Sequence, residues 1–176
     1  MANREALRDL QARLASRLQA AKAEGLSISW LAVRAGGGNY LLPLAQSGQI
    51  FPVSNVQGVP YAQPWFLGVM NLRGGLFGVA DLAAFIKGVA PPARSDQVLA
   101  EARVITLNAA LDINSALLVD ELAGLKQLNV FSSSEPSPEG APACFGHRYT
   151  DSDGKQWQEI NLQSLSRMPE FLGVSA

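Results

Sequence analysis

Residues 66–86, which read FLGVMNLRGGLFGVADLAAFI, constrain the fold more than any other part of this chain. Two apolar runs in strand spacing flank a break at residues 73–75, Arg-Gly-Gly. Because glycine reaches positive φ without a Cβ clash, this pattern predicts a β-hairpin. Asp81 then precedes the apolar run 82–86, where its carboxylate can accept hydrogen bonds from the free amides of a helical turn. The block therefore predicts a hairpin followed by a short capped helix.

Arg73 is the one charged residue at the predicted hairpin tip. Between Gly25 and Pro92, the other charged residues are Arg34, Asp81 and Lys87. An arginine on a rigid turn in so apolar a stretch favours contact with a partner, through bidentate hydrogen bonds or stacking. A structural role, in which it pairs with a nearby carboxylate or caps carbonyls, is the alternative.

The same block resembles the signature of the CheW-like chemotaxis coupling proteins. In that family a GV-x-NLRG strand is followed by a second strand and then by Asp-Leu. The matching residues here are 68–74 (GVMNLRG), 76–79 and Asp81-Leu82. The flanking residues 63–65 (QPW) and 83–85 (AAF) are most similar to the pilus-associated, twitching-motility branch.

The resemblance, which spans roughly residues 27–174, implies a mainly β fold with a few helices. It implies two small five-stranded SH3-like antiparallel β-barrels side by side, preceded by an N-terminal helix. It also implies an adaptor with no reaction of its own. Such an adaptor binds the cytoplasmic tip of a methyl-accepting chemoreceptor and the regulatory domain of a chemotaxis-type histidine kinase. In the pilus branch the output is control of pilus-driven surface motility, at receptor arrays on the membrane.

For the receptor contact, the resemblance implies Asn71 and Arg73 on the hairpin, and Gln49 and Ile50 near the end of the strand that contains Tyr40. Many family members have an acidic residue where this chain has Gln49, so a salt bridge expected at that position is absent.

A second departure is Gly78, which stands where the family usually has proline; it is expected to loosen the second hairpin strand slightly without changing its path. For the kinase contact, we expect the apolar edge of the first barrel, including Val33, Leu42 and Leu44.

The composition fits this interpretation. The chain has 176 residues, of which 48% are hydrophobic and only 16% charged, where about 25% charged is usual. Either many strands are buried on both faces, or partners cover apolar surface. The net charge of −1 provides no broad basic field for nucleic acid.

The ends and the lone cysteine bear on location. The N-terminus is charged and lacks an apolar secretory segment, and the apolar stretches are shorter than the roughly 20 residues needed to cross a bilayer. Cys144 is the only cysteine and cannot form an internal disulfide. These features predict a cytoplasmic protein without direct membrane insertion.

Residues 1–25 are predicted to form a helical extension to a CheW-like domain at 26–176, whose two β-subdomains are not independent. Leucines recur at three- and four-residue intervals through a helix at about 3–24, which places them on one face. This face either packs on its own domain or docks another chain. A basic membrane-surface helix is a third alternative, which the absence of aromatic anchors disfavours. The leucines are Leu7, Leu10, Leu14 and Leu18.

The rest of the chain reads as short strands, with an internal echo. The hairpin at 69–79 followed by Asp81-Leu82 is answered by a hairpin at 148–160 followed by Asn161-Leu162. Other segments are predicted as strands at 28–34, 40–44, 103–108 and 114–119, a loop with one or two short strands at 47–64, a connector at 88–97, a Ser/Pro surface loop at 131–142, and a final helix at 162–168.

Groups able to catalyse a reaction are scarce. Cys144 and His147 form a possible thiol nucleophile and base, although a buried thiol and a strand-edge imidazole are the simpler interpretation. Residues 151–154 (DSDG) resemble part of a calcium loop but favour a hairpin turn. We therefore predict no enzyme activity, no cofactor and no metal.

Two other functions remain open at this point. One is a stand-alone small-barrel module that binds proline-rich or extended peptides on Trp65 and Tyr61. The other is a Cys144-dependent hydrolase. The tryptophans Trp30, Trp65 and Trp157 are otherwise expected to pack in the core or at the junction of the barrels.

Overall fold

The computed structural model describes residues 2–21 and 29–176, and within them the chain forms eleven strands in two sheets. The helices are α1 Ala2–Ala21, α2 Leu82–Lys87, α3 Asp96–Glu101, α4 Leu162–Leu165 and α5 Pro169–Leu172. The strands are β1 Ser29–Ala35, β2 Gly38–Pro43, β3 Ser47–Pro52, β4 Phe66–Leu72, β5 Gly75–Asp81, β6 Arg103–Leu107, β7 Ser115–Val119, β8 Glu121–Gln127, β9 Phe131–Glu135, β10 Phe145–Asp151 and β11 Gln156–Ile160.

Each sheet combines antiparallel pairs with one parallel pair. The six-stranded sheet has the order β8-β1-β2-β11-β10-β9, and the five-stranded sheet has the order β3-β6-β7-β5-β4. The parallel pairs are β2 with β11 and β5 with β7. The predicted mainly β architecture of two bodies is confirmed, with one strand more in one sheet and a parallel pair in each. The six-stranded sheet thus combines the first two strands, β1 and β2, with the last four, β8 to β11.

Strands β1, β2, β6 and β7 are buried on both faces, so alternate side chains reach different cores. In β1, Trp30 faces the interior of the six-stranded sheet, whereas Leu31 faces a core that both sheets share. In β7, Leu118 faces the interior of the five-stranded sheet, whereas Leu117 faces the shared core. We call this shared core the seam; its strand residues are Leu31, Val33, Ala35, Tyr40, Leu42, Ala80, Ile105, Leu107, Leu117, Val119 and Ile160.

The internal repeat predicted from the sequence corresponds to two similar helix caps, one after each hairpin. The Asp81 side chain accepts a hydrogen bond from the amide of Ala84 at 2.9 Å and begins α2. The Asn161 side chain accepts one from the amide of Ser164 at 2.9 Å and begins α4. The cap predicted at Asp81 is therefore confirmed, and each hairpin leads into a capped helical turn.

Residues 131–142 do not form the uninterrupted loop that their composition predicted. Phe131–Glu135 is strand β9, paired antiparallel with β10 at the edge of the six-stranded sheet. Phe131 packs against Trp30 with 5.7 Å between ring centroids. An edge strand needs backbone partners on one side only, so serine side chains can face solvent without loss.

The final helix is shorter than predicted. It ends at Leu165, and the chain then forms a second turn, α5, with Pro169 at its first position. Proline is tolerated there because the amide it lacks has no intrahelical partner. Helix α3 and strand β8 were not anticipated from the sequence.

Helix α1 confirms the predicted helix as far as Ala21, and the end predicted at Glu24 and Gly25 lies outside the described residues. Leu7, Leu10 and Leu14 are 57%, 57% and 52% exposed. The structure therefore does not show these leucines packed on their own domain. None of the helices within residues 2–21 and 29–176 is long and apolar enough to cross a membrane.

Candidate partner-binding surface

The tip of the β4–β5 hairpin is a two-residue turn with a defined geometry. Leu72 pairs with Gly75, which leaves Arg73 and Gly74 as the loop, with φ of 50° and 83°. Positive φ at both central residues is the property of a type I′ turn, whose twist matches that of the flanking strands. The Asn71 side chain accepts a hydrogen bond from the amide of Gly74 at 3.0 Å. Asn71 thus holds the turn that presents Arg73.

Arg73 is exposed, and its guanidinium lies over the ring of Phe51, 5.8 Å from the centroid. Phe51 belongs to β3, so the hairpin tip and β3 meet at this point. Among the described residues, the salt bridges do not include Arg73. The structural role that the sequence left open, pairing with a carboxylate, is not seen in them. The charge of Arg73 remains available to a partner.

Gln49 and Ile50 lie in β3 and not at the end of the strand that contains Tyr40, which is β2. The pairing of β3 with β6 shifts register between Ser47 and Ile50, and the amide of Gln49 donates to the Thr106 hydroxyl oxygen at 2.8 Å. Both predicted residues are exposed, Ile50 to 44%. The polar side chain of Gln49 and the apolar side chain of Ile50 are therefore neighbours on the exposed surface of this irregular strand.

A cavity of about 300 Å³ connects these elements. Gln49 and Phe51 line it from β3, and Leu72 and Phe77 line it from the hairpin. The four residues predicted for the receptor contact therefore lie around one end of the five-stranded sheet. We call this the hairpin surface, defined by Gln49, Ile50, Phe51, Asn71 and Arg73.

The residues predicted for the kinase contact separate into two groups. Val33 and Leu42 are fully buried in the seam, each 0% exposed, so neither side chain can contact a partner. Leu44, in the short turn between β2 and β3, is partly exposed. The expectation of a binding edge at Val33 and Leu42 is wrong, because these strands are covered on both faces.

A buried ion network, which the sequence did not reveal, binds the segment between α2 and α3 to Asp81 and Asp120. The Arg94 guanidinium contacts the Asp81 carboxylate at 2.5 Å and the Asp120 carboxylate at 2.7 Å. Asp120 also accepts a hydrogen bond from the amide of Gly36 at 2.8 Å. Burial alone would lower the pKa of Arg94, but the hydrogen bonds and charges of both carboxylates outweigh it and raise that pKa.

The signal for this network was partly visible. A carboxylate as deeply buried as Asp81, whose side chain is 0% exposed, needs a cationic partner. The sequence shows that requirement through the apolar surroundings of Asp81. It does not show which arginine meets it, because Arg94 lies in a proline-containing connector with no periodic pattern.

Cys144 has the environment of a core residue. Its side chain is 0% exposed and belongs to the seam, and burial raises the pKa of the thiol to about 11. A nucleophilic cysteine needs the opposite shift, since the thiolate is the reactive form. His147, by contrast, is exposed on β10. The geometry contradicts the hypothesis of a Cys144-dependent hydrolase.

Residues 151–154 form the predicted hairpin turn. The Asp151 side chain accepts hydrogen bonds from the amides of Asp153 and Lys155, at 3.0 and 2.9 Å, and from the indole of Trp157 at 3.0 Å. The hydrogen bond from Trp157, followed by those from the backbone, lowers the pKa of Asp151. Its oxygens are thus used within the turn.

The aromatic platform considered for a peptide-binding module is not formed. Tyr61 is 90% exposed, but Trp65 is only 8% exposed. The Trp65 ring packs between Phe85 and Phe171, with centroids 5.0 and 5.7 Å away. Trp65 therefore packs α2 against α5, and among the described residues the aromatic ring pairs do not include Tyr61.

Two β-sheets that share a seam, with an NLRG hairpin at one end, form the architecture that the hairpin signature implied, and the comparisons agree. The model of the CheW-like domain family matches residues 29–170, and the chain belongs to this family. Among individual proteins, it is similar to Protein PilI of Pseudomonas aeruginosa strain PAO1. The two are 28% identical over 165 residues, which cover 93% of this chain and 89% of that protein.

The fold has a counterpart of known structure. It is similar to the crystal structure of the scaffolding protein TtCheW from Thermoanaerobacter tengcongensis, with a TM-score of 0.60 and 17% sequence identity. The match covers 76% of this chain and 88% of that chain. The two-barrel SH3-like fold that the hairpin signature implied is confirmed.

Proposed function

We propose that this protein is a non-enzymatic adaptor that couples a methyl-accepting chemoreceptor to a chemotaxis-type histidine kinase. Membership of the CheW-like family supports the coupling role. The similarity to PilI supports an output in type IV pilus twitching motility. The observation that carries the proposal is the exposed Arg73, fixed on a type I′ turn with its charge free of any salt bridge among the described residues.

The hairpin surface suits the receptor tip for chemical reasons. The guanidinium of Arg73 lies over the ring of Phe51 and is exposed, so a carboxylate of the receptor can reach it and form bidentate hydrogen bonds. The adjacent cavity between Phe51 and Phe77 can accept an apolar side chain. With Gln49 in place of an acidic residue, Arg73 provides the charge at this surface, and Gln49 contributes hydrogen bonds only.

The kinase contact rests on fewer residues. Of the apolar set considered from the sequence, Leu44 is partly exposed, and it begins the turn Leu44–Gln46 that leads into β3. The kinase would then bind close to the first residues of the hairpin surface. In such an adaptor, signalling occurs when a conformational change in the bound receptor alters the free energy of kinase binding, and the reverse. No chemical step by the adaptor is required.

The test is the substitution Arg73→Glu. It should weaken binding of a receptor cytoplasmic fragment by about 2 kcal/mol or more if Arg73 is a hot spot, measured by titration calorimetry. The melting temperature should not change, because the residue is an exposed turn position. Arg167→Glu, an exposed arginine between α4 and α5, is the matched control and should bind as the wild type does. Equal affinity of both variants for the receptor fragment would exclude Arg73 from the contact.

A further inference from the structure

Helix α1 carries an uncovered row of leucines. Leu7, Leu10 and Leu14 follow each other at intervals of three and four residues, and each is more than half exposed. All side chains described in this helix, residues 4–16, are exposed. Helices in proteins gain most of their stability from packing of an apolar face, so an exposed apolar stripe indicates a partner.

The width of the row indicates what kind of partner it fits. At 3.6 residues per turn, the three leucines fall within a sector of about 60°. A helix that packs on a globular body has an apolar stripe of at least about 100°, whereas two positions per heptad form the narrow seam of paired helices. The leucine row therefore fits a single helix better than the surface of a barrel.

The charges around the row indicate the sign of the partner. Arg4 and Arg13 lie at about 90° on either side of the leucines, in the positions that flank a helix pair. The acidic residues of the described side chains, Glu5 and Asp9, lie on the opposite face. A second copy of this helix would offer these arginines no carboxylate beside its own leucines, so self-pairing gains nothing from the flanks.

We propose that α1 is a docking helix for an amphipathic helix of another protein, one with an apolar stripe flanked by acidic residues. The leucine row provides the apolar contact, and Arg4 and Arg13 select the acidic flanks. This surface is separate from the hairpin surface and does not depend on the function proposed for it.

The experiment uses the full chain and two synthetic helical peptides. Both peptides have leucine at the a and d positions; one has glutamate and the other lysine at e and g. The glutamate peptide should bind by fluorescence anisotropy, and the lysine peptide should bind at least about tenfold more weakly. Leu10→Asp should reduce binding of the glutamate peptide by about tenfold or more. Ala12→Asp, the same new charge on the opposite face, should not.

Charge reversal provides a second arm. Arg13→Glu should move the preference towards the lysine peptide, whereas Arg167→Glu should leave peptide binding unchanged. The proposal is overturned if neither peptide binds or if both bind equally. It is also overturned if sedimentation shows wild-type self-association that Leu10→Asp abolishes, because a second copy then covers the leucines.

Discussion

At the scale of single residues, Asp81 has two structural roles. One carboxylate oxygen caps α2 through the amide of Ala84, and the other accepts the guanidinium of Arg94. The aspartate of the family's Asp-Leu motif therefore begins a helix. It also binds Arg94, which lies in the connector between α2 and α3, outside any helix or strand. Because Arg94 also contacts Asp120 between β7 and β8, it joins segments from both sheets.

Removing Arg94 should be costly. Arg94→Met leaves the carboxylate of Asp81 buried without its cation, and such a loss destabilises a fold by about 3–5 kcal/mol. Urea unfolding measures the change. Arg34→Met breaks the ion pair with Glu121, whose side chains are 42% and 47% exposed, and should cost about 1 kcal/mol or less. If the two variants are equally stable, the buried network does not hold the connector.

At the scale of elements, the β4–β5 hairpin depends on a close backbone approach at Gly68. This residue has a φ of 138°, and a Cβ placed on it would lie 2.0 Å from the carbonyl oxygen of Gln57. Gln57 and Val69 exchange two backbone hydrogen bonds of 2.9 Å, which bring the segment after β3 against β4. Gly68, the first glycine of the family signature, thus lets Val69 on the outer edge of β4 pair with Gln57.

We expect Gly68→Ala to destabilise the protein by about 2–4 kcal/mol, because the methyl group meets backbone and the φ is strained. Thermal unfolding followed by circular dichroism tests this. Gly58→Ala is the control, since nothing lies within 4 Å of its added Cβ, and it should change stability by about 0.5 kcal/mol or less. A Gly68→Ala variant as stable as Gly58→Ala would show that Gln57 can move away at no cost.

Elements whose pattern is local were predictable from the sequence. The hairpin turn at Arg73-Gly74, the cap at Asp81 and the turn at 151–154 each depend on residues within a few positions of one another. Strand β9 was missed because an edge strand is held by backbone hydrogen bonds, which its serines do not indicate. The prediction of a kinase contact at Val33 and Leu42 was wrong because apolar residues occur both in strands buried on two faces and in exposed binding edges. The sequence does not distinguish the two.

At the scale of the whole molecule, the seam makes the two sheets one unit. Leu42 from the six-stranded sheet and Leu117 from the five-stranded sheet belong to the same core, so neither sheet can be removed without exposing the other. The echo in the sequence pointed to two similar bodies. It could not show that β1 pairs with β8 and β2 with β11, because these pairings depend on packing between segments far apart in the sequence.

We expect Leu42→Ala to lower stability by about 2–5 kcal/mol in one cooperative transition. Tryptophan fluorescence, to which Trp30 and Trp157 in the six-stranded body contribute, should shift together with circular dichroism, which reports on both sheets. Leu125→Ala, at a position 68% exposed on β8, should change stability by about 0.5 kcal/mol or less. Two separated transitions in the Leu42→Ala variant would mean that the sheets unfold independently.

The pairing of β2 with β11 has a consequence for biosynthesis. The last strand of the five-stranded sheet ends at Val119, so the ribosome completes all the strands of this sheet before those of the six-stranded sheet. The β1–β2 hairpin is made earlier but obtains its parallel neighbour only when residues 156–160 have been translated. Until then the two apolar faces of this hairpin are incompletely covered, and Trp30 and Leu41 are exposed to non-native contacts.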